Sequence, residues 1–407
     1  MKYILTLSLI LLLMGCSQQE QEKKMKFSSE EITSLGLDAT QQLIVDENST
    51  ERFELDPFLK EREFSILKKV KTIHYLPLET TNESLISNIE QIIISDNHLY
   101  ISNDNTLNNV LIFDKQGKYL NRIQKGEGPE EILNLKSIVY DSVNHELIIY
   151  HNKYLSFFSP EGKFIRKEKI PLNAHSFTLL PDGYLFYALN GVDNTHLGSP
   201  GNSQILITDK LFKLKNAGFP YRFSEKLNFG GKGIHYNSEE INLTFSFINT
   251  VYQWVSPNRL KAKYKFDFDD KRIPDDLLNN VSSANNFISQ TRANDYYYFS
   301  GDYEEAGNYI YLGLSNQYTR VVCNFYIDKK TKTIYSGTKI ETDNQDVPYL
   351  SYPVSSYASS FVSFIQPDLI IPNLDDLSNK FVSVEDRLVL RKLREDDNPV
   401  LVFYELN

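Results

Sequence analysis

Two stretches of this 407-residue chain repeat one another closely enough to constrain what it can fold into. Val110-Leu-Ile-Phe-Asp-Lys-Gln-Gly-Lys-Tyr-Leu120 and Leu155-Ser-Phe-Phe-Ser-Pro-Glu-Gly-Lys-Phe-Ile165 each join two runs of β-branched and aromatic residues through a polar turn. Their turn glycines, Gly117 and Gly162, lie 162 − 117 = 45 residues apart. Such runs are strands and such turns are hairpins. A repeat of this length built only from strands is one blade of a β-propeller.

Further copies follow. The residues that open the last strand of each copy, Tyr119, Phe164, Phe212, Leu260 and Ile334, are spaced by 45, 48, 48 and 74, and an insertion accounts for the long final step. A sixth copy, Pro399–Glu405, stops after its third strand. The segment Val70–Leu78 is its natural missing partner, because a strand donated from the opposite terminus closes the ring and removes exposed sheet edges. The sequence therefore predicts an all-β, six-bladed propeller of four-stranded antiparallel blades, closed by an N-terminal strand. The expected blades are 85–125, 132–170, 175–217, 221–268, 294–340, and 352–407 with 70–78. Helical spacing over Asp275–Ala284, and an Asn cap after Pro372 heading Asn373–Phe381, predict short helical insertions.

The first residues carry Lys2, then an apolar run to Met14 broken only by Thr6 and Ser8, then Leu13-Met14-Gly15-Cys16. This run is shorter than the ~20 apolar residues that span a bilayer. It has the pattern of a bacterial lipobox, so residues 1–15 are expected to be a cleaved signal and Cys16 the lipidated N-terminus. Ser17, where an aspartate would signal retention at the inner membrane, points to an outer-membrane lipoprotein of the cell envelope. Residues 16–55, mostly polar and weakly periodic, read as a solvated tether, leaving 56–407 for the propeller.

Net charge is 43 − 53 = −10 with no basic stripe, which excludes nucleic acid as a partner class. Once Cys16 is lipidated, Cys323 is the only other cysteine, so no intramolecular disulfide can form. Cys323 lies in an apolar run and reads as a buried small hydrophobe. With 26 Tyr and 25 Phe against a single Trp, the chain has the aromatic content to fill a large closed core.

At the first blade junction stands Ile123-Gln-Lys-Gly126-Glu-Gly128-Pro129-Glu-Glu131-Ile132. Together with Leu76-Pro-Leu-Glu-Thr-Thr81 and Asp396-Asp-Asn-Pro-Val-Leu-Val-Phe403, it resembles the six-bladed propeller lipoproteins of Bacteroidota, which are similar in strand layout to NHL-type propellers. The resemblance covers about Phe64 to Asn407 and implies fold and envelope address, but no reaction. The chain departs from the common pattern at Glu130, where a small residue is usual, and in its long fifth blade. Gly126, Gly128 and Pro129 read as a structural turn whose glycines supply unusual backbone angles, with Glu131 accepting backbone N–H groups. The pair leads into a strand and lacks the lysine of a phosphate-binding loop.

In a propeller the connections between blades and the turns between second and third strands share one face, where ligands usually bind. Asn103, Asp104, Lys153, Tyr154, Asp193 and His196 fall in such segments and are the binding candidates. Aromatic and amide groups there suit a glycan, peptide or envelope-protein partner. The leading expectation is a lipid-anchored, non-catalytic binding module. The alternative is a lyase or hydrolase acting on an acidic polysaccharide, with His235, Tyr236 and Arg222 as catalytic groups. No cofactor is expected. Asn103-Asp104-Asn105 and Asp193-Asn194 offer oxygens to calcium but match no calcium loop, and the histidines show no zinc spacing, so no metal site is assigned.

Overall fold

The computed structural model describes residues 27–59, 63–64, 66–103, 107–224, 226–227, 231–237, 240–316, 321–337, 339–340, 351–374 and 382–407. The signal and lipobox, residues 1–16, lie outside these. Among the described residues, six antiparallel four-stranded meanders make the ring. Blade 1 comprises Ile89–Ile94, His98–Asn103, Val110–Asp114 and Tyr119–Ile123, and blade 2 Leu135–Asp141, Glu146–His151, Tyr154–Phe158 and Phe164–Lys169. Blade 3 comprises Ser176–Leu180, Gly183–Tyr187, Ser203–Asp209 and Leu214–Pro220, and blade 4 Ile234–Asn237, Glu240–Phe245, Ile248–Ser256 and Arg259–Asp267. Blade 5 comprises Tyr298–Ala306, Tyr309–Ser315, Val321–Asp328 and Ile334–Gly337. Blade 6 takes Ser355–Tyr357, Ser360–Ile365 and Val400–Leu406, and its outer strand is Val70–Pro77, paired antiparallel with Leu401 opposite Leu76 and Phe403 opposite His74. The expected closure is therefore present. In each meander the interblade connection and the turn between second and third strands lie at one end of the ring, called the upper face below.

Alternation along the strands explains how the ring packs, since neighbouring side chains point into opposite interblade spaces. In blade 1, Tyr100, Val110 and Ile112 join Ile138, Leu147 and Phe158 of blade 2. Their neighbours Leu99, Ile101, Leu111 and Phe113 face Val362 and Leu401 of blade 6. A core of this kind fills each of the six interfaces. Cys323 is fully buried between blades 4 and 5, as its apolar setting implies.

The tether expectation requires correction. From residue 27 to residue 59 the chain is a strap along the outside of the ring. A helix, Ser29–Ser34, is capped by Ser28, whose hydroxyl accepts the Glu31 N–H while Glu31 reaches back to the Ser28 N–H. Gln41–Gln42 then pairs parallel to the outer strand of blade 3, and Ile44–Asp46 and Glu51–Glu54 pair with that of blade 4. Glu63–Phe64 pairs with Lys339–Ile340 beyond blade 5. The polar composition misleads because only one residue in several points inward. Leu35 enters the interface of blades 2 and 3, Leu43 packs against that of 3 and 4, Phe53, Leu55 and Leu59 fill that of 4 and 5, and Ile66 that of 5 and 6. Each such side chain stabilises by about 1.5–3 kcal/mol when fully buried, enough to hold a polar ribbon in place.

Two local expectations also change. The insertion between blades 4 and 5 is two helices, Asp275–Asn279 and Ala284–Ala293, the second capped by Ser283, in place of a single segment ending at Ala284. Near blade 6, helices form at Pro367–Ile370 and Val384–Leu390, and most of the expected helix over Asn373–Phe381 falls outside the described residues.

Candidate functional site

The helical insertion sits on the upper face, where Leu278 and Phe287 bury against Leu227 and Phe247 in a small core separate from the ring. Beside it, at the outer edge of blade 4, opens a cleft of about 500 Å³. Its walls come from three parts of the chain: the strap at Glu47 to Arg52, the blade 3–4 connection at Arg222 and Phe223, and the insertion at Asp269 to Asn279. Most of its cations are already matched. Asp267 is shared by Arg52 (3.1 Å) and Lys265 (3.1 Å), and Arg272 donates to Asp275 at 2.8 Å. Arg222, by contrast, is exposed and has no hydrogen-bonding or charged partner among the described residues. Asn249 on the cleft floor is 8% exposed, and its Oδ1 has no partner among the described residues. A smaller hollow continues from the cleft past Arg222 and Phe223 to Tyr221. Burial pushes the Tyr221 phenol up to about 12, and its hydroxyl also has no partner among the described residues. Buried polar atoms left this way cost about 1–3 kcal/mol each unless a ligand or solvent meets them.

A second cluster lies on the inner strands of blades 4 to 6. Lys232 is set there by two glycines: a Cβ on Gly231 would stand 2.0 Å from Ser300 O, and one on Gly233 (φ +71°) 2.3 Å from the Tyr187 ring. The Lys232 ammonium donates to Glu304 Oε1 at 2.5 Å and to the Val354 carbonyl, and Ser356 Oγ donates to Glu304 Oε2 at 3.4 Å. His235, 4% exposed, meets Thr244 Oγ1 through Nε2 at 2.9 Å. Because the Thr244 hydroxyl donates onward to Gly301 O at 3.3 Å, Nε2 is the donor, and Nδ1 faces Glu304 Oε1 at 4.0 Å. Burial works to raise the Glu304 carboxyl, but the Lys232 charge, with the His235 imidazole beside it, overrides burial and holds the group down at about 2. Asp302, two residues away, exposed and accepting from Ser300 Oγ, is instead raised, because the surrounding protein limits the solvation of its charge. The arrangement is an ionised carboxylate clamped between three blades.

The catalytic alternative meets this geometry as follows. His235 joins Lys232 and Glu304, while Arg222 lines the cleft and Tyr236, 62% exposed, follows His235 on the strand and so points the other way. Among the described residues no hydrogen bond, ion pair or ring contact links His235 to either.

Several binding candidates turn out to hold the chain itself. The Phe27 ring lies 4.7 Å from the His196 ring and 4.3 Å beneath the Lys153 ammonium. His196 Nε2 contacts Pro171 O at 3.0 Å, and Tyr154 lies under the Lys167 ammonium at 4.8 Å. Asp193 Oδ1 accepts the Thr195 N–H at 3.0 Å and its hydroxyl at 2.7 Å, an Asx turn that uses the oxygen. Asn103, 1% exposed, uses its amide to brace Leu85–Asn88. Asp104 lies outside the described residues, and among those described no cluster of histidine, cysteine and carboxylate groups suits a metal ion. At the blade 1–2 junction Glu131 accepts the Gly128 N–H at 2.8 Å, as expected. Neither glycine has a positive φ, so the expected unusual angles are absent; a Cβ on Gly126 would fall 1.9 Å from Glu131 Oε2 and would displace the carboxylate that accepts the Gly128 N–H.

Sequence reasoning missed Asn249, Asp302 and Glu304. The last two stood in plain view, since Asp302-Tyr-Glu304-Glu305 puts three carboxylates on a strand that must pack, and buried charges are rare unless paired.

The family model described as a domain of unknown function, DUF4934, matches residues 52–405. The chain belongs to this family. Its fold is similar to that of a putative exported protein from Bacteroides fragilis NCTC 9343, with a TM-score of 0.71 at 20% identity over 88% of this chain and 100% of that one. A virginiamycin B lyase from Staphylococcus aureus aligns at a TM-score of 0.39 and 11% identity, over 67% of this chain and 75% of that one. That likeness is too slight to bear on function. No curated protein matches the chain.

Proposed function

We propose that this propeller is a non-catalytic, lipid-anchored glycan-binding module of the outer membrane, and that the cleft over blade 4 takes the sugar. The observation that carries the reading is the set of unmatched polar groups gathered there: the Arg222 guanidinium, Asn249 Oδ1 and the Tyr221 hydroxyl. Sugar hydroxyls donate and accept, and so meet such a mixture, while the half-buried Phe223 ring in the same wall offers apolar surface to the C–H side of a pyranose. The cleft volume is within the range of small-ligand sites. Lipid attachment at Cys16 is supported by the lipobox pattern, and export by the nature of the Bacteroides fragilis protein.

An oligosaccharide array followed by calorimetry tests this. Binding of at least one neutral or acidic oligosaccharide is expected, weakened tenfold or more by Arg222→Ala and by Asn249→Ala. No retained sugar, or binding by both variants as strong as that of the unsubstituted protein, would overturn the assignment.

A further inference from the structure

We infer that the sugar taken by the cleft carries a carboxylate: a hexuronic acid seated with its acid group on Arg222 and a ring hydroxyl in the hollow behind it. The inference rests on the glycan reading above and narrows it to one class of sugar. Four cations line the cleft, Arg52, Arg222, Lys265 and Arg272. Arg272 is matched by Asp275, and Arg52 and Lys265 share the single carboxylate of Asp267, which leaves Arg222 as the cation without an acid in contact. Glu47 and Asp269 stand exposed in the same walls, yet among the described residues no ion pair joins either of them to Arg222. Its charge nonetheless reaches the cleft floor. The buried Tyr252 phenol there is raised chiefly by burial, with Glu47 adding to the rise and Arg222 opposing it.

Charge and size then decide between anions. Once Asp267 is counted with Glu47, Asp269 and Asp275, four carboxylates face the four cations, and the cleft is neutral in a chain whose net charge is −10. A densely sulfated chain would bring several charges to one unmatched cation and two unpaired carboxylates, and repulsion would oppose it. A single carboxylate suits the site. It is planar, and the guanidinium fork of Arg222 can meet both of its oxygens at once, while Glu47 and Asp269 accept from ring hydroxyls. The hollow fixes which way round the sugar lies. It holds about 20 Å³, room for one water-sized group, and Arg222 is the charged residue in its wall. A carboxylate is too large to enter, so a hydroxyl meets the unpartnered Tyr221 hydroxyl and the acid group stays outside on Arg222.

The test offers the full chain an array of galacturonate, mannuronate, guluronate and glucuronate oligomers, each beside a carboxyl-reduced twin, in which the acid group is a hydroxymethyl, and beside a sulfated form of that twin. At least one acidic form is expected to bind more tightly than its reduced twin by about tenfold, the worth of one charge-assisted hydrogen bond. That advantage should shrink in about 0.5 M salt. Arg222→Gln should abolish it, and Arg222→Lys, which keeps the charge but loses the fork, should fall between. Because Arg222 is exposed, neither variant should change Tm, which serves as the check on folding. Reduced twins held as tightly as the acids, a sulfated form held more tightly, or an advantage that survives Arg222→Gln would overturn the uronate assignment and leave the glycan cleft standing. Retention of no sugar of any kind would overturn the cleft reading, and the uronate with it.

Discussion

Replacing Lys232 by Met keeps the length and apolar stem of the side chain but strands the Glu304 carboxylate, whose side chain is 7% exposed, without its cation. Breaking a buried pair from one side costs about 3–5 kcal/mol. The Glu304 titration is of the same order: its fall from 4.5 to about 2, the net of burial against Lys232 and the neighbouring His235, is roughly 2.5 units, or about 3 kcal/mol at 1.36 per unit. With Lys232 the largest of the lowering causes, a loss of about 3 kcal/mol is expected at pH 7. For a folded unit the size of the matched 354 residues, an unfolding entropy of about 2.1 cal/mol/K per residue converts this to a drop of about 4 °C in Tm. The sign of the pH effect follows from a depressed folded-state pKa. The stabilisation is complete above the unfolded value near 4.5 and is lost as pH falls towards 2. Urea unfolding of wild type and Lys232→Met should therefore show a gap that is constant from pH 7 to 5 and narrows by about half by pH 3. Glu304→Gln should cost no more than Lys232→Met, because Lys232 is 33% exposed and keeps the Val354 carbonyl, and the double variant should cost less than the sum. A gap under 1 kcal/mol at pH 7, or one that stays flat to pH 3, would refute the clamp.

Three further outcomes are expected. Ending the chain at Asn398 deletes the strand that pairs with Val70–Pro77 and opens both neighbouring blades, so near-ultraviolet circular dichroism should lose its cooperative transition; an unchanged Tm would show that blade 6 does not close the ring. Leu35→Asp removes a fully buried side chain between blades 2 and 3 and should cost about 2–3 kcal/mol, with new protease cleavage ahead of residue 40 and intact blades behind it; resistance equal to wild type would count against the strap. Cys16→Ser should abolish labelling by a palmitate analogue and shift the protein out of the membrane fraction while leaving its Tm unchanged; persistent labelling would end the lipoprotein reading.

What the sequence reveals here depends on whether a signal is local and repeated. The ring was legible because each blade states the same alternation, and six weak statements at one period outweigh any single ambiguous strand. The closure was legible for a related reason: Pro399–Glu405 ends one strand short, and an open propeller would leave sheet edges unpaired. The strap was not, because its anchors Leu35, Phe53, Leu55 and Ile66 are separated by polar residues at no constant interval, and their meaning lies in four different interfaces. For the same reason Lys153 and His196 read as ligand-binding groups when their partner is Phe27, more than a hundred residues away in sequence. The cleft and the clamp lie further still from local pattern. Arg222 and Asn249 acquire their roles only through what does not pair with them, and Lys232 through a glycine on either side that lets the backbone pass Ser300 and Tyr187. Those glycines were the readable part. A lysine between two glycines, next to a strand that must bury its side chains, marks a charge the fold has made room for, and the triplet of carboxylates at Asp302 to Glu305 marks where that charge is received.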